Sequence, residues 1–123
     1  MMMCIFIKNQ HIGNVTNLEV VSKPTGIANL IGNKGGMLVS FCIMETSFCF
    51  ISCHLAAKPH NVELRKNNYY DLIKNMRTGF KELETIFQFD YVFWCGDFNF
   101  RNDCINFSLK IIIYNKIVFC IAF

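Results

Sequence analysis

Residues 2–8 (MMCIFIK) form a short apolar run rich in β-formers and end against the polar stretch 9–14, which predicts a strand leading into a turn. Residues 18–21 predict a second short strand, stopped by Ser22, Lys23 and Pro24. Two stronger apolar runs, 37–44 and 48–55, flank Glu45-Thr46-Ser47 and predict a hairpin. In the second run Phe48, Phe50, Ser52 and His54 fall on one face, and Cys49, Ile51, Cys53 and Leu55 on the other. His54 is thereby placed at the carboxyl end of a buried strand. From 61 to 79 the spacing turns helical: Tyr69, Leu72 or Ile73, Met76 and Phe80 recur at three- and four-residue steps, with Asn61 as N-cap and Gly79 as C-cap. Arg65, Lys66, Lys74 and Arg77 alternate with Glu63 and Asp71, the pattern of a solvated face. Residues 91–95 (YVFWC) predict one more buried strand, running directly into Gly96-Asp97-Phe98-Asn99.

The last stretch, 104–123, changes character, being rich in Ile, Asn, Lys and Phe. It reads either as two strands or as a segment foreign to the domain before it. A membrane-spanning helix is a poor third reading, because Lys110 and Lys116 would each cost about 2.5–3.5 kcal/mol near a bilayer centre. The 53% hydrophobic and 17% charged content excludes a disordered chain. A length of 123 residues allows one small domain. Its formal charge of +3 is too slight to argue for nucleic acid. The 13 phenylalanines are a surplus that needs a place to be buried, which suggests that a partner surface is missing. Seven cysteines, several inside apolar runs, follow no secreted disulfide spacing, and the opening apolar run is too short for a signal peptide. The chain is therefore expected to be intracellular and reduced.

Asp97 and Asn99 are the most informative pair. If the chain stays extended past the strand, both side chains enter one pocket, where a carboxylate can orient or deprotonate water and a carboxamide can hydrogen-bond a phosphoryl oxygen. The competing reading is an Asx turn after the strand. His54 is either a satisfied strand-end histidine or, if its strand neighbours that of Asp97, part of the same site. The segment Gly32-Asn33-Lys34-Gly35-Gly36 is a flexible turn or a presenter of backbone amides and one ammonium to an anion, but it lacks Walker spacing. Lys58, Arg65 and Lys66 suit phosphates, an anionic membrane surface or plain solvent equally well. Cys95 and Arg101 have the spacing of a cysteine-phosphatase loop, but Asp97 and two phenylalanines are wrong for wrapping a phosphate. Cys49, Cys53, His54 and His60 do not make a zinc site, because Cys49 and Cys53 point away from His54 on an extended strand.

Taken together, TGIANLIGNKGGMLVSF (25–41), TSFCFISCHLAAK (46–58), RKNNYYDLI (65–73) and FWCGDFNFRND (93–103) resemble, in order and spacing, the catalytic domain of inositol polyphosphate 5-phosphatases. The resemblance covers about residues 2–103 and implies an α/β architecture of the endonuclease/exonuclease/phosphatase type, a two-sheet β-sandwich flanked by helices, here partial. It divides the chain into a partial catalytic domain at 1–103 and an apolar tail at 104–123. It implies that Asp97 positions or activates water, that Asn99 contacts the scissile phosphate and that His54 is a hydrogen-bonding partner, with Asn33 and Lys34 lining the approach. The implied cofactor is Mg²⁺, although the family's glutamate metal ligand has no counterpart in this chain and no metal ligand is identified. The implied reaction removes the 5-phosphate of phosphatidylinositol phosphates or inositol polyphosphates, in the cytoplasm and peripherally at membranes, with no nucleic-acid partner.

The family's domain is well over twice as long, and its later substrate-binding stretch and catalytic Asp-His pair have no match here. The chain alone is therefore expected to be weakly active or inactive, and poorly soluble. A Mg²⁺-dependent nuclease of the same superfold and a non-catalytic fragment are the alternatives.

Overall fold

The computed structural model describes residues 1–26 and 34–99, together with the backbone of 110–114 and 117–122. Six strands make one mixed sheet: β1 (Val15–Pro24), β2 (Gly35–Ile43), β3 (Thr46–His54), β4 (Tyr91–Asp97), β5 (Lys110–Tyr114) and β6 (Ile117–Ala122), in the order β1-β2-β3-β4-β6-β5. The first three strands are antiparallel neighbours, whereas β4 runs parallel to both β3 and β6. Helix α1 (Val62–Asn75) lies in the connection from β3 to β4. This is the expected α/β arrangement in partial form, with one sheet layer and its helix among the described residues.

The predicted alternation along 48–55 places the core. Cys49, Ile51, Cys53 and Leu55 are buried at 2% exposure or less, together with Leu38 from β2 and Val92 and Trp94 from β4. Leu72 and Met76 close this layer from above, and Tyr69 stacks on Trp94 with ring centroids 5.0 Å apart. Helix and sheet approach closely because β2 presents Gly36 there. A Cβ at that position would fall 2.8 Å from a methyl of Leu72. The opposite face carries much of the aromatic surplus as a cross-strand ladder: Phe41 on Phe48, Phe48 on Tyr91, and Phe50 on Phe93 at 4.9 Å.

Several expectations need correction. Residues 1–8 are irregular backbone rather than a strand, because no described strand pairs with them; a short 3₁₀ helix (Asn9–Asn14) follows. The alternation of half-buried Met3, Ile5 and Ile7 with exposed neighbours is real, but pairing, not alternation alone, makes a strand. The second strand does not stop at Ser22. It continues to Pro24, which is tolerated because β1 is an edge strand, and it carries an irregularity between Thr16 and Glu19. Helix α1 ends at Asn75, so Gly79 lies beyond it, and Phe80 is 74% exposed instead of completing the apolar stripe. Asn61 does occupy the N-cap position, but its side chain donates to the Ala57 carbonyl and does not cap the helix. The two-strand reading of the final stretch matches β5 and β6, which pair with each other and join the sheet beside β4.

Candidate active site

The sheet topology itself assembles the site. Because β3 and β4 are parallel and in register, their carboxyl ends coincide, with His54 directly opposite Asp97. The antiparallel β2–β3 register sets Gly35 opposite His54, bringing Lys34 to the same end. A cleft of about 230 Å³ opens here, lined by Met1, Ser22, Lys34, Met37 and His54 among others. His54 Nε2 lies 3.5 Å from Asp97 Oδ2, and both side chains remain substantially open to solvent.

Lys34 Nζ is in hydrogen-bond contact with the same imidazole nitrogen. An ammonium has donors and no acceptor, so in this contact Lys34 is the donor and Nε2 the acceptor. Lys34, His54 and Asp97 thus bring an ammonium, an imidazole and a carboxylate together at one strand end.

Asn99 resolves the two readings of its motif in an unexpected way: both are present. The strand ends at Asp97 and Asn99 turns into the left-handed region at φ 54°, so the backbone is not extended to this point. Its amide donates to Asp97 Oδ1 at 2.9 Å, which is the Asx turn. Yet the turn keeps the Asn99 carboxamide at the site, where Nδ2 donates to the Leu55 carbonyl at 3.0 Å, one residue past His54. The Leu55 amide in turn donates to the Asp97 carbonyl at 2.9 Å. His54, Asp97, Asn99 and Lys34 are therefore gathered at one end of the sheet, while Asn33 lies outside the described residues.

Arg101 of the cysteine-phosphatase spacing lies outside the described residues, and the zinc alternative finds no support among the described ones. Burial pushes the thiols of Cys49 and Cys53 up to about 12, so neither is a free nucleophilic thiolate near neutral pH. Among the described residues no group of three or more His, Cys, Asp or Glu side chains gathers as a metal cage. Asp97 is the carboxylate at the site. Mg²⁺ is commonly held by one or two carboxylates together with substrate phosphates, so the donor set fits a cation shared with a phosphorylated substrate and does not fit one enclosed by protein alone.

Two residues of the helix, Arg65 and Asn68, belong to the site's support. Arg65 is only 3% exposed and donates to the carbonyls of Ala56, Lys58 and Pro59, while buried Asn68 accepts the Ala56 amide through Oδ1 at 3.2 Å. Residues 65, 68 and 72 form one helical stripe that Met76 extends just past the helix, and that spacing is the available signal. Lys66, by contrast, is on the solvated face as expected and pairs with Glu63 at 2.7 Å.

The chain matches endonuclease/exonuclease/phosphatase family 2 over residues 1–118. It is 36% identical over 102 residues to phosphatidylinositol 3,4,5-trisphosphate 5-phosphatase 2A of Danio rerio, covering 80% of this chain and 8% of that protein. To synaptojanin-2 of Rattus norvegicus it is 37% identical over 99 residues, covering 80% and 6%. Among solved structures, the inositol polyphosphate 5-phosphatase domain of SPsynaptojanin, in complex with inositol (1,4)-bisphosphate and calcium ion, superposes with a TM-score of 0.62 at 36% identity. That match covers 73% of this chain and 25% of the solved chain, so this chain spans a small part of each relative. The resemblance drawn from the motifs is thus borne out: the chain belongs to endonuclease/exonuclease/phosphatase family 2, with inositol polyphosphate 5-phosphatases among its relatives.

Proposed function

We propose that the site hydrolyses the 5-phosphate of phosphatidylinositol phosphates or inositol polyphosphates with the help of Mg²⁺. The observation that carries this reading is the convergence of Lys34, His54, Asp97 and Asn99 at one sheet end. In such a reaction water attacks phosphorus, a new P–O bond forms, and the bond to the inositol oxygen breaks, that oxygen taking a proton from solvent to leave as a hydroxyl. Asp97 has a solvent-accessible carboxylate whose Oδ2 lies 3.5 Å from His54 Nε2, and it takes the proton from the attacking water. The Lys34 ammonium draws the anionic phosphate in, and the Asn99 carboxamide hydrogen-bonds a phosphoryl oxygen. Asp97 is the described residue that would hold the cation, which when bound would supply positive charge against the phosphoryl oxygens.

A phosphoinositide substrate sits in the cytoplasmic face of a membrane, so the reading places the protein in the cytoplasm and peripherally at that surface. No helix among the described residues is long and apolar enough to cross a bilayer.

The test offers the chain soluble inositol 1,4,5-trisphosphate and abasic duplex DNA, each with and without Mg²⁺. Slow phosphate release from the inositol substrate, dependent on the cation, is the expected result. Cleavage of the DNA with no phosphate release transfers the site to nuclease chemistry and overturns the proposal.

A further inference from the structure

We propose that Asn68 on helix α1 is a positioning residue for the Asn99 carboxamide, acting through one peptide group, with Arg65 securing the next. This inference rests on the reading above that Asn99 works on the phosphoryl group. The Leu55 carbonyl and the Ala56 amide belong to the same planar peptide unit, whose six atoms move together. Asn68 Oδ1 accepts from the Ala56 N–H at 3.2 Å at one end of that plane, and Asn99 Nδ2 donates to the Leu55 oxygen at 3.0 Å at the other. Fixing one end therefore fixes the other. Arg65 Nη1 donates to the Ala56 carbonyl at 3.3 Å and to the Lys58 carbonyl at 2.6 Å, holding the chain where β3 has ended.

The placement argues against a merely structural role. Residues 65, 68 and 72 share the helix face toward the core, where Leu72 packs with Met76, the residue just past the helix. Apolar residues at 65 and 68 would continue the stripe and avoid burying a guanidinium and a carboxamide. The polar pair stands where the stripe passes over residues 55–59, whose backbone groups lie beyond the ladder between β2 and β3. The helix thus sets the direction in which Asn99 points, at a distance from the cleft itself.

The test compares Asn68→Leu, which removes the acceptor, with Asn68→Asp, which keeps it, in the full chain. Nitrogen-15 NMR of the Asn99 side-chain amide is the primary readout. Asn68→Leu is expected to shift that amide pair and to lower the rate at saturating inositol 1,4,5-trisphosphate about 10- to 100-fold, with KM within about threefold. Asn68→Asp is expected to restore both. An Asn99 amide pair at its wild-type position in Asn68→Leu overturns the proposal, whatever the rate does. If the wild-type chain releases no phosphate, the functional reading fails, and the NMR comparison still decides the positioning role. If Asn68→Leu does not fold, hydrogen exchange of the wild-type chain decides: an Ala56 amide protected like that of Cys53 supports the clamp, and rapid exchange overturns it.

Discussion

Gly96→Ala is expected to abolish the cooperative unfolding transition or to lower its urea midpoint by roughly 2 M, a loss of about 4 kcal/mol. Gly96 sits at φ +119°, a conformation that side-chain-bearing residues rarely adopt. A Cβ there would also run into the backbone of Cys53, reaching the carbonyl oxygen and coming within 2.7 Å of the nitrogen. Cys53 is the register partner of Gly96, one step from the His54–Asp97 pair, so no flexible side chain is available to yield. The strands must part or the backbone must distort, and either moves the two residues on which the site depends. The lone tryptophan, Trp94, is buried between sheet and helix and reports the transition by fluorescence. Gly13→Ala, where an added Cβ meets nothing within 4 Å, is the control and should stay within about 0.5 kcal/mol of wild type. A Gly96→Ala chain with a wild-type midpoint would contradict this account of the β3–β4 contact.

Asp97→Asn is expected to lower phosphate release about 10²- to 10⁴-fold, down to the background rate, without unfolding the chain. The substitution is close to isosteric, and the side-chain oxygen that accepts the Asn99 amide remains. What disappears is the negative charge and the base. Its side chain is half-exposed, so the change in stability should stay within about 0.5 kcal/mol. Measuring initial rates beside the urea midpoint separates the two effects. A rate within threefold of wild type would remove Asp97 from the proposed chemistry.

The parts of this fold that were legible are those governed by a simple period. Alternation along 48–55 placed Cys49, Ile51 and Cys53 inward and carried His54 to a strand end. The expectation that His54 and Asp97 meet held because parallel pairing forces the carboxyl ends of β3 and β4 together. Lys34 could be named as a candidate, but its contact with the His54 ring depends on the β2–β3 register, which local pattern does not state. The irregular 1–8 segment shows the same limit: its composition suits a strand, and only the absence of a partner decides otherwise. The pattern leaves Arg65 open between solvent, a phosphate and a membrane surface, and each of these would expose it. Its burial follows from three carbonyls, at Ala56, Lys58 and Pro59, that need a donor. Asn99 was posed as a turn or a ligand, and a short carboxamide at a strand end can be both.

The claim beneath all of this is that Lys34, His54, Asp97 and Asn99 form a single pocket that receives a phosphate together with a divalent cation. Titrating inositol (1,4)-bisphosphate and Ca²⁺ into the nitrogen-15-labelled chain tests it without requiring turnover. The account predicts amide shifts concentrated at residues 34–36, 54–56 and 97–99, appearing in full only when both ligand and cation are present. Shifts centred instead at the opposite end of the sheet, around Ser47 and Asp90, or no shifts at all, would contradict it.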